Sequence, residues 1–225
     1  MTTATAIASK TRSATTQPPT LDELVERLGG IPLSRILVQP ALGSATEADL
    51  LEAQRRYGRL YELVDGVLVE KGMGYRESLL AGAFIEALRQ FVRPRKLGLV
   101  SAPDGTIRVL PGQVRIPDVS FASWGSLPEG KVPVTPIPPL SPDLVVEVLS
   151  DSNTPAEMER KRGEYFTSGV RLIWEVDPES RVVAVYTPDG AVALLDASQT
   201  LNGGAVLPGF TLNLSELFAE LDELA

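Results

Sequence analysis

Hydrophobic positions along the chain change their period several times, and each change marks an element. Residues 59–71, RLYELVDGVLVEK, alternate in two short runs around Asp65-Gly66 and predict a β-hairpin. From Arg76 the period lengthens. Leu79, Leu80, Ala83, Phe84, Ala87, Leu88 and Phe91 recur at spacings of three and four, giving one wide apolar helix face that Pro94 is expected to end. LGLVSA at 97–102, TIRVLP at 106–111 and VRIPDVSFAS at 114–123 return to strand-like alternation. Between Leu127 and Pro142, the prolines at Pro128, Pro133, Pro136, Pro138 and Pro139 exclude both helix and central strand.

Downstream, PDLVVEVLS (142–150) reads as a buried strand, and TPAEMERKRGEYFTSG (154–169) as a helix with Pro155 in its first turn and Gly169 at its end. VRLIWEVD (170–177) reads as another strand, so the order is β, α, β. A hairpin turned at Asp189-Gly190 follows, then a short helix over 215–225. Upstream, LDELVERLGG (21–30) and the Thr46-led TEADLLEAQRR (46–56) predict two helices. The Thr-, Ala- and Ser-rich stretch 1–20 has no apolar period and predicts a disordered tail. The expected organisation is therefore a tail over 1–20, a helical leader and loop over 21–45, and one α/β domain over 46–225. No internal repeat of 20 to 50 residues is present.

At 225 residues with 44% hydrophobic and 22% charged side chains, the chain can bury a full core. No apolar run reaches the roughly 20 residues that span a bilayer, and no secretory signal opens the sequence, so a cytoplasmic protein without a membrane partner is expected. The absence of Cys and His changes the picture more. It excludes thiol nucleophiles, disulfides, Cys/His zinc sites and histidine bases, and leaves carboxylate and carbonyl oxygens for hard ions such as Mg²⁺ or Mn²⁺. A net charge of −8 argues against broad affinity for nucleic acid. Arg89, Arg93, Arg95 and Lys96 form a local basic cluster, read first as a solvated helix C-terminus.

Three residues carry candidate chemistry. Glu147 stands in the middle of the apolar run LVVEVL, where a buried carboxylate demands a cation or hydrogen bonds. The alternative is a strand near a sheet edge with Glu147 in water. Asp118 follows Pro117, which suggests an edge or bulge that re-aims a side chain into a cleft, or else a plain Pro-Asp turn. Glu157, Lys161 and Tyr165 are spaced by four on one helix face, which by itself fits an exposed ion pair and a packed tyrosine.

Taken in order, Pro117-Asp118, PDLVVEVLS, Glu157, Lys161, Tyr165 and GVRLIWEVDP (169–178) resemble the Uma-two family of the PD-(D/E)xK nuclease superfamily. YELVDG (61–66) and LPGF (207–210) extend the likeness over roughly residues 45–220. The resemblance implies a restriction-endonuclease-like mixed sheet flanked by helices, with added β-hairpins. It implies Mg²⁺ (or Mn²⁺) held by Asp118, Glu147 and the carbonyl of Val148, with Glu77 beside them. Leu149 stands where the superfamily motif has lysine, and Lys161 is the implied replacement. Glu62 and Asp65 also belong to the family pattern, although the hairpin turn accounts for Asp65.

The expected activity is Mg²⁺-dependent endonucleolytic hydrolysis of nucleic acid, with DNA as partner and, by analogy with enzymes that cut two strands, a homodimer. Arg89, Arg93, Arg95, Lys96 or Arg115 would form a basic rim. The rival is a non-catalytic binding or assembly module on a degenerate nuclease fold, which the missing motif lysine and the acidic balance favour.

Overall fold

The computed structural model describes residues 20–72 and 74–222, so the tail expected over 1–20 lies, apart from Thr20, outside the described residues. The elements are α1 (Leu21–Arg27), β1 (Ile36–Leu37), α2 (Glu47–Tyr57), β2 (Tyr61–Val64), β3 (Val67–Glu70), α3 (Tyr75–Arg95), β4 (Gly98–Ser101) and β5 (Ile107–Leu110). They continue with β6 (Gln113–Arg115), β7 (Val119–Ser123), β8 (Leu144–Val148), α4 (Pro155–Ser168), β9 (Leu172–Asp177), β10 (Val182–Tyr186), β11 (Val192–Asp196), β12 (Thr200–Gly203), β13 (Leu207–Asn213) and α5 (Leu214–Ala219).

The main sheet has the order β11-β10-β9-β8-β7-β4. Its one parallel pair is β8 with β9, joined through α4, and the other neighbours are antiparallel. A second, antiparallel sheet has the order β1-β3-β2-β6-β5. The segment 21–45 contributes to it, because β1 pairs with β3.

Alternation along β8 assigns its two faces. Leu144, Val146 and Val148 join Leu80, Phe84 and Leu88 of α3 in the largest core, which Trp174 and Phe210 complete with stacked rings 5.8 Å apart. Val145 faces the other way, with Tyr165, Ile173, Ile107 and Val109. Glu147 shares that second face, between the main sheet, α4 and the second sheet. Each fully buried aliphatic side chain contributes about 1.5–3 kcal/mol, which is enough to hold a few charged groups in place among them.

Local signals position α4. Thr154 accepts the N–H of Glu157 at 3.0 Å, Pro155 opens the first turn, and Gly169 ends the helix at φ 112. Two expectations are corrected. α3 runs through Pro94 to Arg95: the proline removes one N–H bond to the carbonyl four residues back, but the helix ends one residue later, where Lys96 caps it in the left-handed region. VRIPDVSFAS is not one strand: it bends at Ile116–Asp118 from β6 in one sheet to β7 in the other, and Pro117, lacking an N–H, sits at the corner. The β12–β13 hairpin, which with α5 closes the main core, has no expected counterpart in the alternation. Among the described residues no helix is long and apolar enough to cross a membrane.

Candidate active site

The corner between the sheets puts two acids side by side. Val119 opposes Val146 in the antiparallel register, so one step further Asp118 comes opposite Glu147. Both are buried, at 3% and 4% exposure, which removes the reading of Glu147 as a solvent-facing residue. The N–H of Val148 donates to Asp118 Oδ2 at 2.7 Å. Because the N–H and C=O of a strand residue leave on the same side, the Val148 carbonyl is also directed toward Asp118.

Cations surround the pair. Lys161 Nζ lies 3.3 Å from Glu147 Oε2 and 3.4 Å from Glu62 Oε1, and the Tyr165 hydroxyl donates to Glu147 Oε1 at 2.6 Å. Arg115 donates to Glu62 at 2.7 Å and to Glu164 at 2.7 Å. Lys71 Nζ comes within 2.8 Å of Asp118 Oδ1, outside hydrogen-bond geometry, so that buried oxygen carries an ion pair and no directed hydrogen bond. Lys71 also donates to the Ile116 carbonyl. Glu175, in register with Glu147 on β9, is held separately by Arg162 at 2.7 and 2.9 Å.

The electrostatics separate these groups. Burial pushes the Glu147 carboxyl up, Lys161 opposes it and Asp118 adds to it, leaving it at about 7. Burial also disfavours ionised Glu62, but Lys161, Arg115 and the Ile116 N–H outweigh it and hold this carboxyl at about 2. Burial disfavours the Lys161 ammonium, yet Glu147 and Glu62 raise its affinity for the proton above the ordinary lysine value. Burial, then the charges of Glu147 and Glu62, raise Tyr165 well above the usual phenol range, so it acts as a hydrogen-bond donor.

Asp118, Glu147, Val148 and Lys161 are thus brought together. Glu77 is not joined to them: it lies in the first turn of α3 with its carboxylate folded against Gly74, where an acid suits the helix dipole. Arg115 is buried between Glu62 and Glu164, so it cannot belong to a basic rim. Arg89, Arg93, Arg95 and Lys96 are exposed at the far end of α3, with Arg93 roughly 24 Å along the helix from Glu77. Glu157 is buried and paired with Arg35 at 2.8 Å, not presented as a surface partner of Lys161. Lys71 carries no signal in the sequence, where it is a single lysine after a strand.

A cleft of about 570 Å³ opens beyond the C-terminal ends of β8 and β9, lined by Glu77, Leu149, Ser150, Asn153, Arg162 and Glu175. Leu149 therefore occupies the cleft wall.

The Uma2 family model, described as "Putative restriction endonuclease", matches residues 48–215. The chain belongs to this family. In fold it is similar to the "putative nuclease belonging to DUF820 from Anabaena variabilis ATCC 29413", with 19% identity, a TM-score of 0.66 and coverage of 91% of this chain and 100% of that one. The Uma2 chain thus has the restriction-endonuclease-like fold, a mixed α/β architecture of sheets flanked by helices. Among curated proteins none matches it.

Among the described residues no three acidic side chains converge as a metal cluster. The donors on offer are two carboxylates and one carbonyl, a set that suits a hard divalent ion completed by water. The residues fit such an ion in a second respect: the buried Asp118 Oδ1 lacks a directed hydrogen bond.

Proposed function

We propose that this chain is a nuclease that hydrolyses phosphodiester bonds of DNA, with Mg²⁺ or Mn²⁺ held by Asp118, Glu147 and the Val148 carbonyl. The observation that carries the reading is the juxtaposition of the two buried acids across β7 and β8, with the Val148 backbone turned toward Asp118. A divalent ion there would polarise a phosphate oxygen and make a bound water more acidic.

The chain's own groups divide the remaining work. Tyr165 and Lys161 fix the two oxygens of Glu147. Lys161 stays charged and acts electrostatically, countering negative charge that develops on phosphorus, because its raised proton affinity unsuits it to be a base. A strand would approach through the cleft beside Leu149, at the carboxyl ends of β8 and β9; Asp118, Glu147 and Lys161 lie buried behind its wall and do not line it. Two copies of such a centre would serve two strands, which is the reason to include a homodimer in the reading.

A second reading, a non-catalytic binding or assembly module, is favoured by one observation: Asp118 is already paired with Lys71. The test is incubation of the protein with single- and double-stranded DNA and RNA, with Mg²⁺, Mn²⁺ or a chelator. Metal-dependent cleavage of DNA is expected. No cleavage of any substrate, together with no heat of metal binding, would establish the module instead.

A further inference from the structure

Lys71 stands apart from the other cations of the site. Lys161 and Arg115 come from α4 and β6 and are shared among several acids, whereas Lys71 opens the connection from β3 to α3 and has Asp118 as its one ion-pair partner among the described residues. Its side chain is 5% exposed, so its ammonium is shielded from water along with Asp118. The same ammonium donates to the Ile116 carbonyl, at the corner just before Asp118.

From this geometry we infer that Lys71 is a gate on metal loading, an internal cation that occupies Asp118 and must leave it before a divalent ion can bind. The inference rests on the metal site proposed above. Asp118 Oδ2 is committed to the N–H of Val148 at 2.7 Å, so Oδ1 is the oxygen left for an ion, and Lys71 Nζ lies 2.8 Å from it. An ion bound to Oδ1 at about 2.1 Å would bring two cations to within roughly 4 Å in a site closed to water, where their repulsion is weakly screened. Lys71 makes no directed hydrogen bond to Oδ1, so leaving Asp118 costs it the ion pair and its one hydrogen bond to the Ile116 carbonyl.

The moving part is the side chain alone. The Lys71 backbone N–H donates to the Leu60 carbonyl at 2.9 Å, and Gly72 sits against Ser152, where a Cβ would meet Oγ at 2.4 Å. The backbone at Lys71 is therefore held to β2 while the ammonium exchanges. The consequence is a protein that loads its ion at higher concentration than two carboxylates and a carbonyl would otherwise require.

The test is calorimetric titration of Mn²⁺ into the full chain, wild type against Lys71→Met and Lys71→Arg. Lys71→Met is expected to bind one Mn²⁺ at least tenfold more tightly than wild type, and Lys71→Arg no more tightly than wild type. Lys71→Met leaves Asp118 buried without its partner, so its melting temperature without metal is expected to fall, and added Mn²⁺ to raise it by more than in wild type. Should Lys71→Met fail to fold, Lys71→Gln replaces it. Equal or weaker Mn²⁺ binding by the uncharged variant overturns the gate while the metal site stands. No Mn²⁺ binding by either protein overturns the metal site itself.

Discussion

The Tyr165 hydroxyl donates to Glu147 Oε1 at 2.6 Å, and both groups are buried. The bond fixes which way the carboxylate faces, since its other oxygen is taken by Lys161 at 3.3 Å. Tyr165→Phe keeps the ring and removes the donor. We expect it to lose about 1.5–3 kcal/mol of stability, the usual worth of a hydrogen bond to a charged group, measured by urea denaturation. Any cleavage activity should fall as well, because a free Glu147 oxygen no longer holds one orientation.

Lys161→Met leaves Glu147 and Glu62 without their shared cation. Removing one partner of a buried pair costs about 3–5 kcal/mol, and here Glu147 loses its cation while Glu62 keeps Arg115. The denaturation midpoint is the readout, and Lys161→Arg should recover part of the loss by keeping the charge.

The metal-free protein should show an unusual pH dependence. Glu147 ionises near 7 when folded against an ordinary value of 4.5, so between those limits the folded state binds the extra proton and stability falls as pH rises. The span corresponds to roughly 3 kcal/mol. Glu147→Gln should lose this decline. Glu62 behaves in the opposite sense: held at about 2, its contribution is present above pH 4.5 and is lost as pH falls toward 2. Chelator-treated protein followed by thermal melting across pH 2 to 8 checks both signs.

Arg35→Met tests whether residues 21–45 are part of the folded unit. Arg35 donates to both oxygens of Glu157 at 2.8 and 2.9 Å and to the Glu70 and Ser152 carbonyls. Its loss should cost about 3–5 kcal/mol through the stranded Glu157. A change within 0.5 kcal/mol would mark the segment as a detachable leader.

Much of this molecule is legible in its pattern of residues. The continuous apolar run in LVVEVLS and the three- and four-residue spacing around Phe84 make β8 and α3 legible, because burial on both faces of a central strand or on one face of a helix is a local property of sequence. Glu147 can be singled out for the same reason, being an acid where the pattern demands an apolar side chain. Asp118 is legible only together with Glu147, since Pro117-Asp118 alone reads equally as a turn, and Lys161 only through the family likeness. Lys71, Arg115 and Arg35 escape a linear reading because their partners lie 47, 53 and 122 residues away, a matter of how two sheets meet. Glu77 shows the converse, an acid whose place in the helix's first turn is explained by the helix itself.

The central claim is that Asp118 and Glu147 form one metal-dependent cleavage centre. The most direct measurement is single-turnover cleavage of duplex DNA in Mn²⁺ by wild type, Asp118→Asn and Glu147→Gln, each shown to be folded by circular dichroism. Wild type should cleave and both variants should be at least about 100-fold slower, the loss seen when ligands or their supports are removed from metal sites. Cleavage by either folded variant at the wild-type rate would contradict it.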